Sequence, residues 1–167
     1  MIVHHAAGGA LITLSLCITT VHAQQRTMAI YGDWTLSCAI GDVGTTCGLV
    51  QVQKFGSQSP AVSEIGIGRS SRTQPYRVSI ELPTDVWIPS GVKLLTEDKS
   101  PILAAAFKWC VATRCLVDAE LSDADIKSLR SQKAAGSIAY KTASQSDVLI
   151  EISFRGFGEA FKALQKQ

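Results

Sequence analysis

Imidazole is absent from most of this 167-residue chain. His4, His5 and His22 are its three histidines, and all of them precede residue 23. Cys17, which makes the cysteine count odd at five, lies in the same stretch. Without histidine, residues 24–167 cannot run a Ser-His-Asp or Cys-His mechanism, and they cannot give His ligands to zinc. An excess of one charge is lacking as well, since 16 Lys and Arg stand against 14 Asp and Glu, a formal net charge of +2. Nucleic-acid backbones demand a dense field of Lys and Arg, so composition gives no reason to expect that partner. Long apolar runs are also missing. The mostly apolar stretch Ala10 to Val21 is shorter than the ~20 residues that span a bilayer, and no later stretch comes close, so no transmembrane helix is expected in residues 24–167.

What is present at the start reads as a secretory signal. Ala10 to Val21 lead into Val21-His22-Ala23, a small-residue pattern of the kind signal peptidase accepts, although the first five residues lack the usual Lys or Arg. Leu16 precedes Cys17 where a lipoprotein signal needs a small residue, which argues against lipidation. Cleavage after Ala23 leaves residues 24–167, of a size for one domain, with four cysteines destined for an oxidising compartment.

The spacing of those four selects two local staples. Cys38 and Cys47 flank the turn-forming Gly41-Asp42-Val43-Gly44, so residue 40 faces 45 and residue 38 faces 47 across a hairpin. Cys110 and Cys115 bracket Val111-Ala112-Thr113-Arg114 in the same way. Opposed strand positions bring Cβ atoms within about 4.5–5.5 Å, close enough for a disulfide after modest adjustment. Short loops limit each staple to roughly 2–3 kcal/mol in the chain-entropy model. A redox role for Cys110 and Cys115, with Arg114 favouring a thiolate, is the weaker reading, because no Cys-x-x-Cys or helix start is present. A four-thiolate zinc site is weaker still in an oxidising compartment.

Alternation of period two dominates the rest. Tyr76, Val78, Ile80 and Leu82 share one face of a strand, as do Val148, Ile150, Ile152 and Phe154 of another. Val50 and Val52, and Ile65 and Ile67, mark two more strands, with further strands predicted over Trp34–Ala39, Val92–Thr96, Ile102–Trp109, Cys115–Glu120 and Ser137–Thr142. Ser122 and Asp125 form a capping-box-like start to a helix that runs to about Gln132 and buries Ile126 and Leu129. A second helix over Gly158–Gln165 aligns Phe157, Phe161 and Leu164 on one face. The fold class is mainly β: an antiparallel β-sandwich or barrel-like domain with two short helices and two local disulfides.

In order, the landmarks are Tyr31-Gly32-Asp33-Trp34-Thr35-Leu36-Ser37-Cys38, Leu82-Pro83, Ile88-Pro89-Ser90-Gly91-Val92-Lys93-Leu94, Phe107-Lys108-Trp109-Cys110 with Cys115, and Ser153-Phe154-Arg155-Gly156-Phe157. This set resembles the invasion-associated locus B family of exported bacterial proteins over residues 31 to 164. The resemblance implies a mostly β domain in the envelope of a Gram-negative bacterium, associated in some members with host-cell invasion. It brings no catalytic residues. The family commonly carries glycine before the second cysteine of the late pair, where this chain has Arg114.

Several residues invite a functional reading beside a plainer one. Asp33-Trp34 reads first as a turn cap followed by a core aromatic. Trp87, in the connection Thr84 to Pro89, and Trp109 are core candidates, and Trp87 would bind a glycan or partner if exposed. Arg69, Arg72 and Arg77, with Ser70, Ser71, Thr73 and Gln74, offer a basic surface for phosphate, sulfate or an acidic lipid headgroup, or simply a solvated loop. Asp118, Glu120, Asp123 and Asp125 lack the glycine and spacing of a calcium loop. No cofactor or metal is implied. The expectation is a periplasmic or secreted protein, with outer-membrane association open, that acts by binding a protein or glycan of the envelope or host surface and not as an enzyme. Envelope maintenance without a host is the rival, and thiol–disulfide chemistry a remoter one. Alkylation of intact cells should find Cys38, Cys47, Cys110 and Cys115 all blocked, whereas a redox pair would surrender a reactive thiol.

Overall fold

The computed structural model describes residues 26–41, 44–54 and 61–167. The leader predicted through Ala23 and the hairpin-tip residues Asp42 and Val43 lie outside the described residues. Eleven strands and two helices follow in order among those described: β1 (Arg26–Tyr31), β2 (Trp34–Gly41), β3 (Gly44–Lys54), β4 (Ala61–Gly68), β5 (Arg77–Leu82), β6 (Val92–Leu95), β7 (Pro101–Ala105), β8 (Phe107–Cys110), β9 (Cys115–Glu120), α1 (Asp123–Ser131), β10 (Ala135–Lys141), β11 (Asp147–Ser153) and α2 (Phe157–Leu164), with a 3₁₀ turn at Ile88–Ser90. All pairings are antiparallel. One sheet runs β1-β2-β3-β4-β5-β9-β8 and the other β11-β10-β6-β7. The two share one core, to which the larger sheet gives Leu49, Ile65, Val78, Ile80 and Val117, and the smaller Leu94, Ile138 and Ile152. No described helix is long and apolar enough to cross a membrane.

The alternation seen in sequence becomes the inner faces of these strands. In β5, Val78, Ile80 and Leu82 are buried while Ser79 is exposed. Cys38 pairs directly with Cys47 and Cys110 with Cys115, each with Cα atoms 4.0 Å apart, and both pairs are disulfide-bonded. Ser122 caps α1 in a reciprocal box with Asp125, which closes the helix start that the sequence marks.

Two elements depart from the sequence reading. The predicted single strand Ile102–Trp109 is two strands in different sheets, with the chain crossing at Ala106. Pairing with β6 ends at Ala105, and pairing with β9 begins at Phe107. No glycine or proline marks this crossing, because the small side chains of Ala104, Ala105 and Ala106 already let the chain turn between sheets. The second is β1, an edge strand not anticipated before Trp34. It presents exposed Met28 and Ile30 outward and packs Ala29 and Tyr31 against the core.

The two sheets are tied by a clasp built from the first and last landmarks. Gly32 (φ +58°) and Gly156 (φ +83°) meet back to back, so a Cβ on Gly32 would strike the carbonyl of Arg155 and one on Gly156 the carbonyl of Tyr31. Both also adopt the left-handed region that glycine tolerates. Across this contact the Asp33 amide donates to the Arg155 carbonyl at 3.1 Å. Arg155 grips the Asp33 carboxylate with both Nε (3.0 Å) and Nη2 (2.5 Å), and the Ser153 hydroxyl donates to it at 2.6 Å. Trp34 Nε1 donates to the Ser153 carbonyl at 2.8 Å, and Gln51 both donates to that carbonyl and accepts from the Ser153 amide at 2.9 Å. Below the polar layer the Trp34 ring meets the edge of Phe157 at 4.9 Å.

The Arg155 guanidinium first, and the Ser153 hydroxyl second, hold the Asp33 carboxyl down at about 2 from an ordinary 3.8. A carboxylate whose folded value is depressed stabilises the fold above its unfolded value and loses that contribution as pH falls through the folded one. Asp33→Asn should therefore lower stability at pH 7 by about 1 kcal/mol, the upper end for a solvent-accessible pair. Urea unfolding of variant and wild type should converge as pH drops from about 4 toward 2. An unchanged gap across that range would remove the ion pair from the clasp.

Candidate functional site

A groove of about 950 Å³ opens between α1 and α2, where the helices close one end of the sandwich. Tyr76, Phe154 and Phe161 contribute to its apolar lining, and Lys127, Arg130, Lys133, Arg155 and Lys162 its positive charge, against Asp123 and Glu159. Lys127, Arg130, Lys133 and Lys162 are exposed and make no ion pair among the described residues. Arg130 lies in the last turn of α1, a position that favours a cation beside unsatisfied carbonyls, and its guanidinium rests 5.8 Å from the centre of the Phe161 ring.

An aromatic row connects this groove to the clasp. Trp34 meets Phe157, Phe157 meets Phe161 at 5.8 Å, and Phe161 meets Tyr76 at 4.8 Å. All four are buried, and α2 packs through Phe157, Ala160, Phe161 and Leu164. Tyr76 ends the row with its hydroxyl buried and without a hydrogen-bond partner.

Two of the sequence-predicted arginines adjoin this row. Arg69 stacks 4.7 Å from the centre of the Tyr76 ring and donates to the Arg72 carbonyl at 3.0 Å. Arg72 reaches the Gln167 carbonyl just beyond α2 at 2.8 Å. Arg77 does not join them in function. It opens β5, where pairing with β9 sets it opposite Glu120 and diagonal to Asp118, and it donates to Asp118 at 2.8 Å. Lys108 takes the other Asp118 oxygen at 2.7 Å. The opposite charges of β9 thus neutralise Arg77, although it still borders a shallow depression on the outer sheet face with Arg69. Asp118 is likewise spent on cations, and Asp125 on the cap of α1.

Trp87 lies at the other end of β5 from the arginine loop. The five steps of that strand separate the two by roughly 17 Å along the chain axis, so they do not form one surface. Trp87 is 38 % exposed beside Ile88, its amide bonded to the Lys141 carbonyl at 2.7 Å. Trp109 is 46 % exposed on edge strand β8, so neither tryptophan is the core residue that Trp34 is. Sequence reasoning missed the groove cations. The signal was the three-residue repeat Lys127, Arg130, Lys133, which places three positive charges along one side of α1 and its exit.

The late hairpin shows what Arg114 does in place of glycine. The turn closes without a left-handed residue, through the Val111 amide and the Arg114 carbonyl at 2.9 Å. Glu64 and Glu81 face each other across β4 and β5, and the Arg114 side chain bonds Glu81. Burial first and the Glu81 charge second push the Glu64 carboxyl up, with Arg114 opposing. Its guanidinium is therefore committed to this acidic pair and not to a thiolate at Cys110. A raised carboxyl binds protons more readily in the folded state, so its penalty is absent in acid and grows as pH rises through the folded value. Arg114→Ala should destabilise the protein at pH 7 and lose most of that deficit below about pH 4. Equal deficits at both pH values in urea unfolding would contradict this role.

None of the curated proteins compared matches the chain significantly. The crystal structure of invasion associated protein b from Bartonella henselae superposes with a TM-score of 0.72 at 17% sequence identity, covering 83% of this chain and 94% of that one. At that identity the likeness is one of fold. The family model of the Invasion associated locus B (IalB) protein matches residues 34–165, from the clasp tryptophan past the end of α2, and the chain belongs to that family.

Proposed function

We propose that this protein is exported, processed after Ala23, and acts in the bacterial envelope by binding an acidic partner through the groove between α1 and α2. One contrast carries the reading. Several cations of the larger sheet and its late hairpin are matched by acids, as Arg77 and Lys108 are by Asp118 and Arg114 by Glu81, whereas Lys127, Arg130, Lys133 and Lys162 gather along one groove and make no ion pair among the described residues. Unmatched charge beside an aromatic floor suits an external anion, and charge complementarity of this kind steers encounter and fixes orientation. The leader and the two disulfides support an oxidising compartment. The relative described as invasion associated favours a host-facing setting.

A photoreactive amino acid at position 162 tests the reading in living cells, with exposed position 149 on β11 as control and position 87 as competitor. A defined partner captured from 162, absent from 149 and lost when Lys127 and Lys133 are changed to Glu, is the expected result. Capture from 87 alone, or capture indifferent to those charges, would move the contact surface elsewhere. A bacterial partner obtained without host cells would assign envelope maintenance in place of host association.

A further inference from the structure

We infer that the groove is a receptor for a phosphomonoester group, with the Tyr76 hydroxyl as its buried donor and Arg130, Lys127, Lys133 and Lys162 as its cations. The inference rests on the reading of the groove as the binding surface and specifies its chemistry. Tyr76 is 9% exposed, lines the groove, and carries the one buried side-chain polar atom without a partner among the described residues. A hydroxyl left so is costly, by roughly 1–3 kcal/mol, unless a further partner satisfies it. Its ring packs against both Arg69 and Phe161, which fixes where the hydroxyl sits.

Charge distinguishes the candidate anions. Five lining cations less two lining acids leave three positive charges, and Asp33 neutralises one of these through Arg155, leaving two. A phosphomonoester carries about −1.5 to −2 charges at pH 7 and three strong acceptor oxygens. A carboxylate or sulfate ester carries one charge and leaves the excess unmatched. The forked Arg130 guanidinium suits two phosphoryl oxygens, and the Tyr76 hydroxyl suits a third. The groove exceeds the size of a single phosphate and falls in the range of sites that take a whole small molecule. The phosphate is therefore expected on a larger carrier, either a soluble phosphosugar or a lipid headgroup.

Calorimetric titration of the disulfide-bonded chain from residue 24 with glycerol 3-phosphate, and flotation with phosphatidylcholine vesicles containing phosphatidic acid, test the inference and separate the two carriers. Saturable binding in either assay, with methyl sulfate and acetate much weaker, is expected. Tyr76→Phe keeps the ring and its stacking, so it should cost about tenfold in affinity while stability holds or rises. Lys127→Gln with Lys133→Gln should cost more. No histidine follows residue 22, so weakening from about pH 7.5 to 5.5 reports protonation of the phosphate itself. Absence of binding in both assays, or wild-type affinity in Tyr76→Phe, would overturn the inference. If the charge reversals still abolish capture at position 162 in cells, the groove remains the binding surface with a different anion.

Discussion

The contact of Gly32 with Gly156 is the constraint on which the rest of the molecule depends. It joins the turn between β1 and β2 to the turn between β11 and α2, residues more than 120 positions apart in the chain. Neither turn has room for a side chain at that point, and both need a left-handed backbone. Once the glycines meet, Asp33 and Arg155 are within bonding distance, and Trp34 lies over Phe157. The smaller sheet is thereby fastened to the larger one beside the start of α2.

The polar and apolar parts of this clasp do different work. Asp33 and Arg155 are partly solvated, so their pairing adds at most about 1 kcal/mol and mainly selects one arrangement. Trp34, Phe157 and Phe161 are almost wholly buried, and such rings contribute roughly 3–5 kcal/mol each when truncation is the measure. Burial therefore dominates the energy and the hydrogen bonds dominate the geometry. The same row ends at Tyr76, which places an unsatisfied hydroxyl beside the cationic groove. Fold and proposed site are continuous through α2.

Local signals in the sequence were legible where neighbours decide the structure. Period-two alternation located the inner faces of β5 and β11, turn residues located the Cys38–Cys47 staple, the four-residue spacing located the Cys110–Cys115 staple, and Ser122 with Asp125 located the start of α1. The family landmarks at both ends of the chain were visible too, but not that they touch. Asp33 and Arg155 are 122 positions apart, and no local pattern encodes their pairing. The crossing at Ala106 was hidden because alanine is compatible with a strand and with a bend. The arginine stretch was readable as basic, yet only the β5–β9 register shows that Arg77 is neutralised while Arg69 and Arg72 turn toward α2. The groove needed two helices from separate parts of the chain, so its cations carried no weight individually.

Native-state hydrogen exchange on wild type and Asp33→Asn tests most directly whether the clasp holds the helical end. The account predicts that α2 and β11 amides open more easily in the variant, as one unit, while β3, β4, β5 and β9 keep their protection. Protection lost evenly across both sheets, or α2 amides unchanged by the substitution, would contradict it.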